Sequence, residues 1–149
     1  MSEHNKKPLQ THNQPIGEKS YFAPGVTHDG SLYHMVWVAA NESRDLLYAT
    51  SPDGISWSRG PNVGKQSYQS PAIGVVNGRV VVAFAAIVGT SSNVCYSVYD
   101  SRVGTWTHNL QTGETTGQGV TMVTQGNTAV IFFIASNSSK DVLTVRVTL

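Results

Sequence analysis

The chain has 149 residues, 40% hydrophobic and 13% charged, with a formal net charge of +1. That size suits one domain, and so even a charge balance excludes bulk attraction to nucleic acid or to an anionic membrane. The longest uninterrupted apolar run, Val80 to Val88, is nine residues, too short for a helix to cross the hydrocarbon core of a bilayer.

In chain order, the opening stretch Met1 to Lys7 is polar and lacks the apolar centre of a signal peptide. It predicts a cytoplasmic or non-classically secreted protein. Next, Thr11-His12-Asn13 followed by Gly17-Glu18 repeats the pattern of Thr107-His108-Asn109 followed by Gly113-Glu114. Residues 9–14 are therefore expected to be a fourth, outer strand carried ahead of the first blade.

The body of the chain then repeats three times. Gly30, Gly78 and Gly126 are 48 residues apart, and each is followed 15 residues later by Asp45, Asn93 or Asp141. The glycines close the small-residue turns Asp29-Gly30, Asn77-Gly78 and Gln125-Gly126, which read as hairpins. Each is preceded by a first strand (residues 23–27, 70–76 and 119–123) and followed by a second, very apolar one (32–39, 80–88 and 128–135). Runs such as Val80 to Ala86 do not alternate, so the second strand is expected to be covered on both faces. A polar loop leads to a third strand (46–50, 94–99 and 142–147), and Trp57 or Trp106 then opens a short fourth.

A period near 48 with four strands per copy, and no helical period, predicts an all-β propeller built of four-stranded antiparallel blades. Residues 1–149 read as one body, half of a ring. Residues 19–61 form blade one, 66–110 blade two, and 115–149 blade three without its fourth strand.

The seven residues Ser51-Pro52-Asp53-Gly54-Ile55-Ser56-Trp57 resemble the Asp-box turn of sialidase-like and other β-propellers, with a looser echo at Asp100 to Trp106. The resemblance implies propeller architecture, with Asp53 in a structural turn away from any active site. The aspartate accepts backbone N–H bonds, glycine supplies positive φ, and tryptophan fills the gap between blades.

Closed rings use about 4–8 blades, so three call for a companion. The expectation is a six-bladed C2 homodimer in which residues 9–14 of each copy complete the third blade of the other.

Loops entering the first strands and loops joining second to third strands share one face of such a ring. The first set carries Ser20-Tyr21 and Ser67-Tyr68-Gln69, with Gln118 in the third copy and Glu18, Lys65 and Glu114 just before them. The second set offers Asn41, Glu42 and Arg44, then Ser91 and Ser92, then Asn137 and Lys140. Tyrosine beside amide, carboxylate and guanidinium groups suits sugar recognition, with the ring packing on C–H faces while polar groups read hydroxyls.

The expected ligand-binding residues are Tyr21, Tyr68, Gln69, Glu18, Glu42, Arg44 and Gln118. The expected partners are a glycan or glycoprotein and a second copy of the chain, without nucleic acid or membrane insertion. A sialidase-like hydrolase needs an arginine cluster, a tyrosine nucleophile with its glutamate, and an acid/base aspartate, and no segment matches that set.

His4, His12, His28, His34 and His108 show no metal-ligand spacing, and the lone Cys95 reads as a buried strand thiol. No cofactor or metal is expected. The function expected from the sequence is a non-catalytic, lectin-like carbohydrate-binding propeller. The alternatives are a protein-interaction propeller and a glycoside hydrolase of sialidase-like architecture.

Overall fold

The computed structural model describes residues 7–12, 14–88 and 91–149. Their strands form three antiparallel sheets in which consecutive strands are neighbours. The first sheet is β1 (Gly25–His28), β2 (Tyr33–Val38), β3 (Leu46–Ser51) and β4 (Ser58–Arg59). The second is β5 (Ala72–Val76), β6 (Arg79–Val88), β7 (Ser91–Asp100) and β8 (Thr105–Thr115). The third is β9 (Thr121–Gln125), β10 (Thr128–Ile134) and β11 (Val142–Thr148). Among the described residues no helix is long and apolar enough to cross a membrane.

The hairpins follow from local chemistry. Asn77 and Gly78 both take positive φ, 51° and 73°, between the paired residues Val76 and Arg79. That is the two-residue turn whose twist matches the flanking strands. Each expected first strand begins two residues late, at Gly25, Ala72 and Thr121. Pro24 and Pro71 have no N–H to give a ladder.

The third start is tight: a Cβ built on Gly119 would lie 3.0 Å from the Ser70 carbonyl oxygen and 2.9 Å from its Cβ. The Val120 N–H donates to that same carbonyl at 3.1 Å, so the second and third sheets meet backbone to backbone where their first strands begin.

Two cores hold the sheets together. Val36, Val38, Leu46 and Tyr48 pack with Val80, Val82, Phe84 and Trp106. Val81, Ala83, Val94 and Val98 pack with Ala129, Ile131, Phe133 and Val147. Successive residues of β6 thus enter opposite cores, which accounts for its unbroken apolar run, and each buried Val or Phe among them stabilises by about 1.5–3 kcal/mol.

The outer strands differ from the short ones expected. β8 runs to Thr115, past the expected boundary at 110, with register shifts opposite Asn93/Cys95 and Tyr96/Val98, bulges that bend a long strand to follow its sheet. β4 is only Ser58–Arg59, because Pro61 interrupts the ladder. The chain nevertheless stays beside β3, with Val63 N–H donating to Leu46 O (3.2 Å) and Leu46 N–H to Lys65 O (2.9 Å).

β11 has no strand on its outer side among the described residues. Of residues 9–14, expected as an outer strand, Asn13 lies outside the described residues. The others form no regular element, and Leu9 is fully exposed.

The turn from Ser51 to Trp57 closes on itself. Asp53 Oδ1 accepts the N–H groups of Ile55 and Ser56, both at 2.9 Å, and Trp57 Nε1 donates to Gly54 O at 3.2 Å. The N–H groups of Ser56 and Ile55 and the Ser51 hydroxyl together hold the Asp53 carboxyl below its ordinary pKa.

Candidate functional site

The β2–β3 loop turns sharply at Arg44, whose φ is 56°. This is left-handed backbone that costs a non-glycine residue on the order of 1–3 kcal/mol. Asn41 stabilises the loop by accepting the Ser43 N–H on its Oδ1 at 2.9 Å, and Ser43 Oγ accepts the Asp45 N–H at 3.2 Å.

The result aims the guanidinium at three rings: its Cζ lies 5.2 Å from the Tyr21 centroid, 5.3 Å from Tyr68 and 5.9 Å from Phe22. Cation–π contacts of this kind contribute about 0.5–2 kcal/mol each. Tyr21 and Phe22 precede the first sheet and Tyr68 precedes the second, so Arg44 bridges two sheets. Tyr21 remains 49% exposed.

Tyr68 also lines a cleft of about 300 Å³ whose walls are Lys65, Gln66, Phe84, Ala86, Ile87, Cys95, Tyr96, Leu110 and Gln111. Phe84 and Cys95 are paired across β6 and β7, and Cys95 and Tyr96 face Gln111 and Leu110 of β8. The long, bulged outer strand therefore supplies one wall. Burial pushes the Cys95 thiol above its ordinary pKa, with Lys65 acting in the opposite direction. Aromatic walls with a few amide groups and an ammonium are the composition of small-ligand clefts, and the volume is at the lower end of their usual range.

The first sheet carries a counterpart of about 290 Å³, lined in part by Glu18, Lys19, Trp37, Ala39, Leu47 and Arg59. The repeat aligns Glu18, Lys19, Trp37, Ala39 and Leu47 with Lys65, Gln66, Phe84, Ala86 and Cys95. Here Arg59 donates to both carboxylate oxygens of Glu18, at 2.5 and 3.0 Å, and lies over the Trp37 ring at 5.0 Å. The hydrogen bonds from Arg59 hold the Glu18 carboxyl below its ordinary pKa.

The structure thus brings Tyr21, Tyr68 and Arg44 together and ties Glu18 to Arg59. The Gln69 carbonyl accepts the Ser67 hydroxyl (2.8 Å), the Gln118 N–H donates to Thr116 Oγ1 (3.3 Å), and Glu42 stands exposed in the Arg44 loop. Phe84, Tyr96, Leu110 and Gln111 were not singled out from the sequence, and Cys95 was read from it only as a buried strand thiol, not as a cleft wall.

At the opposite ends of the strands, His34 bridges Asp29 and Tyr48: Nε2 is 2.8 Å from Asp29 Oδ2 and Nδ1 is 2.7 Å from the Tyr48 hydroxyl. The Leu32 N–H, His34 and the Ser31 N–H draw the Asp29 carboxyl down to about 2. Burial raises the Tyr48 hydroxyl, which is 3% exposed. This relay pins the first hairpin to β3. Among the described residues, no group of three or more His, Cys, Asp or Glu side chains is placed to hold a metal ion.

No protein-family model and no curated protein sequence matches the chain. Among solved structures it is similar to a glycosyl hydrolase from Bacteroides ovatus, with a TM-score of 0.51 and 15% identity over 75% of this chain and 42% of that one. It is also similar to the xyloglucan PUL GH43B of Bacteroides ovatus, with a TM-score of 0.57 and 16% identity over 84% of this chain and 26% of that one. The chain spans less than half the length of either neighbour. Likeness at such identities is a likeness of fold, and the fold it shares with these enzymes is an all-β, antiparallel architecture of the β-propeller class.

Proposed function

We propose that this chain is a non-catalytic, lectin-like carbohydrate-binding module. In this reading its three sheets are propeller blades, and two copies close a six-bladed C2 ring, with residues 9–14 of each copy lying along β11 of the other. The observation that carries the binding reading is the cleft of about 300 Å³ between Tyr68, Phe84, Tyr96 and Gln111. Aromatic and amide groups there suit the C–H faces and hydroxyls of a short saccharide. None of its lining side chains is a carboxylate, whereas glycoside hydrolysis ordinarily uses a facing pair. The edge of β11 that no described strand pairs and the match of residues 11–18 to the β8 sequence support the ring.

A second reading, a glycoside hydrolase, draws on the two structural neighbours named for that chemistry. The test is a glycan array followed by calorimetry, with a parallel assay for released sugar. Saccharide binding without turnover is expected, and Ala86→Phe, which fills the cleft, should abolish it. Turnover blocked by the same substitution would transfer the chain to the hydrolases. Silence in both assays would remove carbohydrate altogether.

A further inference from the structure

The β10–β11 loop duplicates the Arg44 loop 96 residues later in the chain. Ser139 N–H donates to Asn137 Oδ1 at 3.0 Å, where Ser43 N–H donates to Asn41 Oδ1 at 2.9 Å. Asp141 N–H donates to Ser139 Oγ at 3.2 Å, as Asp45 N–H does to Ser43 Oγ. Ala135 N–H reaches Asp141 O at 2.8 Å, as Ala39 N–H reaches Asp45 O. The residue in left-handed backbone is Lys140, φ 58°, where the first loop has Arg44, φ 56°.

Arg44 uses that geometry to reach forward, onto Tyr68 at the entrance to the following sheet. Lys140 holds the same place and the same backbone geometry on the third sheet. The tyrosine entrances are themselves repeated. Ser67 Oγ donates to Gln69 O and Tyr68 N–H to Ala85 O, while Ser20 Oγ donates to Phe22 O and Tyr21 N–H to Val38 O. Tyr21 is therefore the counterpart of Tyr68 on a sheet with no preceding sheet among the described residues, and it is half exposed.

The two outer faces agree with this pairing. Trp37 lies on the side of the first sheet that corresponds to the Phe84 side of the second, the side turned toward a preceding sheet. Its indole nitrogen is buried without a hydrogen-bond partner among the described residues, a state buried donors rarely tolerate. On the third sheet, Val123 and Val142 are 59% and 69% exposed on the side away from the second, an apolar face of the kind that marks an interface.

We propose that Lys140 of one copy stands over Tyr21 of a second copy, repeating between chains the contact that Arg44 makes with Tyr68 within one. The inference rests on the six-bladed reading and adds to it the residues that set the junction. By the two-fold axis the contact occurs twice per ring, and each junction unites a cation from one copy with the tyrosine entrance of the other.

The test mixes ¹⁴N- and ¹⁵N-labelled full-length chains through unfolding and refolding. A short reagent that joins lysine amines to any neighbouring residue is then applied to the wild-type protein. A mixed-isotope cross-link between Lys140 and the peptide bearing Tyr21 is expected. Lys140→Asn, which tolerates the left-handed backbone, should raise the dimer dissociation constant about tenfold, and Lys140→Arg should restore it.

A solution mass of twice 16.0 kDa with Lys140 cross-linked only within its own chain, or to another segment of the partner, would overturn the contact and leave the ring standing. A monomer at micromolar concentration would overturn both.

Discussion

Trp106 donates its indole N–H to the carbonyl of Pro61, 3.0 Å away and 45 residues earlier in the chain. The bond ties the head of β8 to the irregular tail of the first sheet. The ring also meets Tyr48 edge-on at 5.5 Å between centroids, and it is only 8% exposed. Trp57 holds the comparable place in the first sheet but donates to Gly54, within its own turn, and is half-buried. The two tryptophans thus do different work: one joins sheets, the other closes a turn.

Trp106→Ala should therefore destabilise the fold by about 3–5 kcal/mol. Trp57→Ala should cost clearly less, about 1–2 kcal/mol, since little of its surface is recovered from water by another sheet. Urea denaturation followed by circular dichroism measures both. Equal losses would mean that Trp57 packs against a surface outside the chain.

Acid should act on the first hairpin. The folded Asp29 carboxyl titrates at about 2, below its unfolded value of about 3.9. Its contribution is therefore fully present above the unfolded pKa and lost as the pH falls from about 4 toward 2. Asp29→Asn should flatten this part of the stability-against-pH curve. A parallel loss in parent and variant across that window would assign the acid sensitivity to other carboxylates.

For ligand binding, Tyr68→Ala should weaken saccharide affinity by about 1–3 kcal/mol, as loss of a packed aromatic anchor does. Tyr21→Ala should weaken it less, because Tyr21 touches Arg44 but does not line the Tyr68 cleft. Calorimetry on folded variants decides the order, and a stronger effect at Tyr21 would move the site to the Arg44 cluster.

Gly119→Ala is expected to cost about 1–3 kcal/mol despite adding only a methyl group, because its neighbours are the Cβ and backbone atoms of Ser70, which cannot rotate away. A neutral result in thermal melts would show that the second and third sheets part there without penalty.

Much of the fold is legible in local chemistry. The turn glycines mark the hairpins, and the non-alternating run from Val80 to Ala86 announces a strand between two cores. Tyr21, Tyr68 and Arg44 could be singled out because they stand in repeated loops. The Glu18–Arg59 pair could not, since it joins residues 41 apart, one on an irregular segment ahead of β1 and one at the end of the two-residue strand β4. The walls of the Tyr68 cleft were hidden for a related reason: which side chains of β7 and β8 face each other depends on two register shifts that no composition rule locates.

The middle sheet is flanked by a core on each side, whereas the other two each present a face that no described sheet covers. Amide hydrogen exchange should record that asymmetry. Protection should be greatest along β6 and the facing stretch of β7, where opening a ladder means parting two cores at once. β11, bonded along one edge only among the described residues, should exchange earliest among the long strands, and its protection should rise with protein concentration if a second chain seals the other edge.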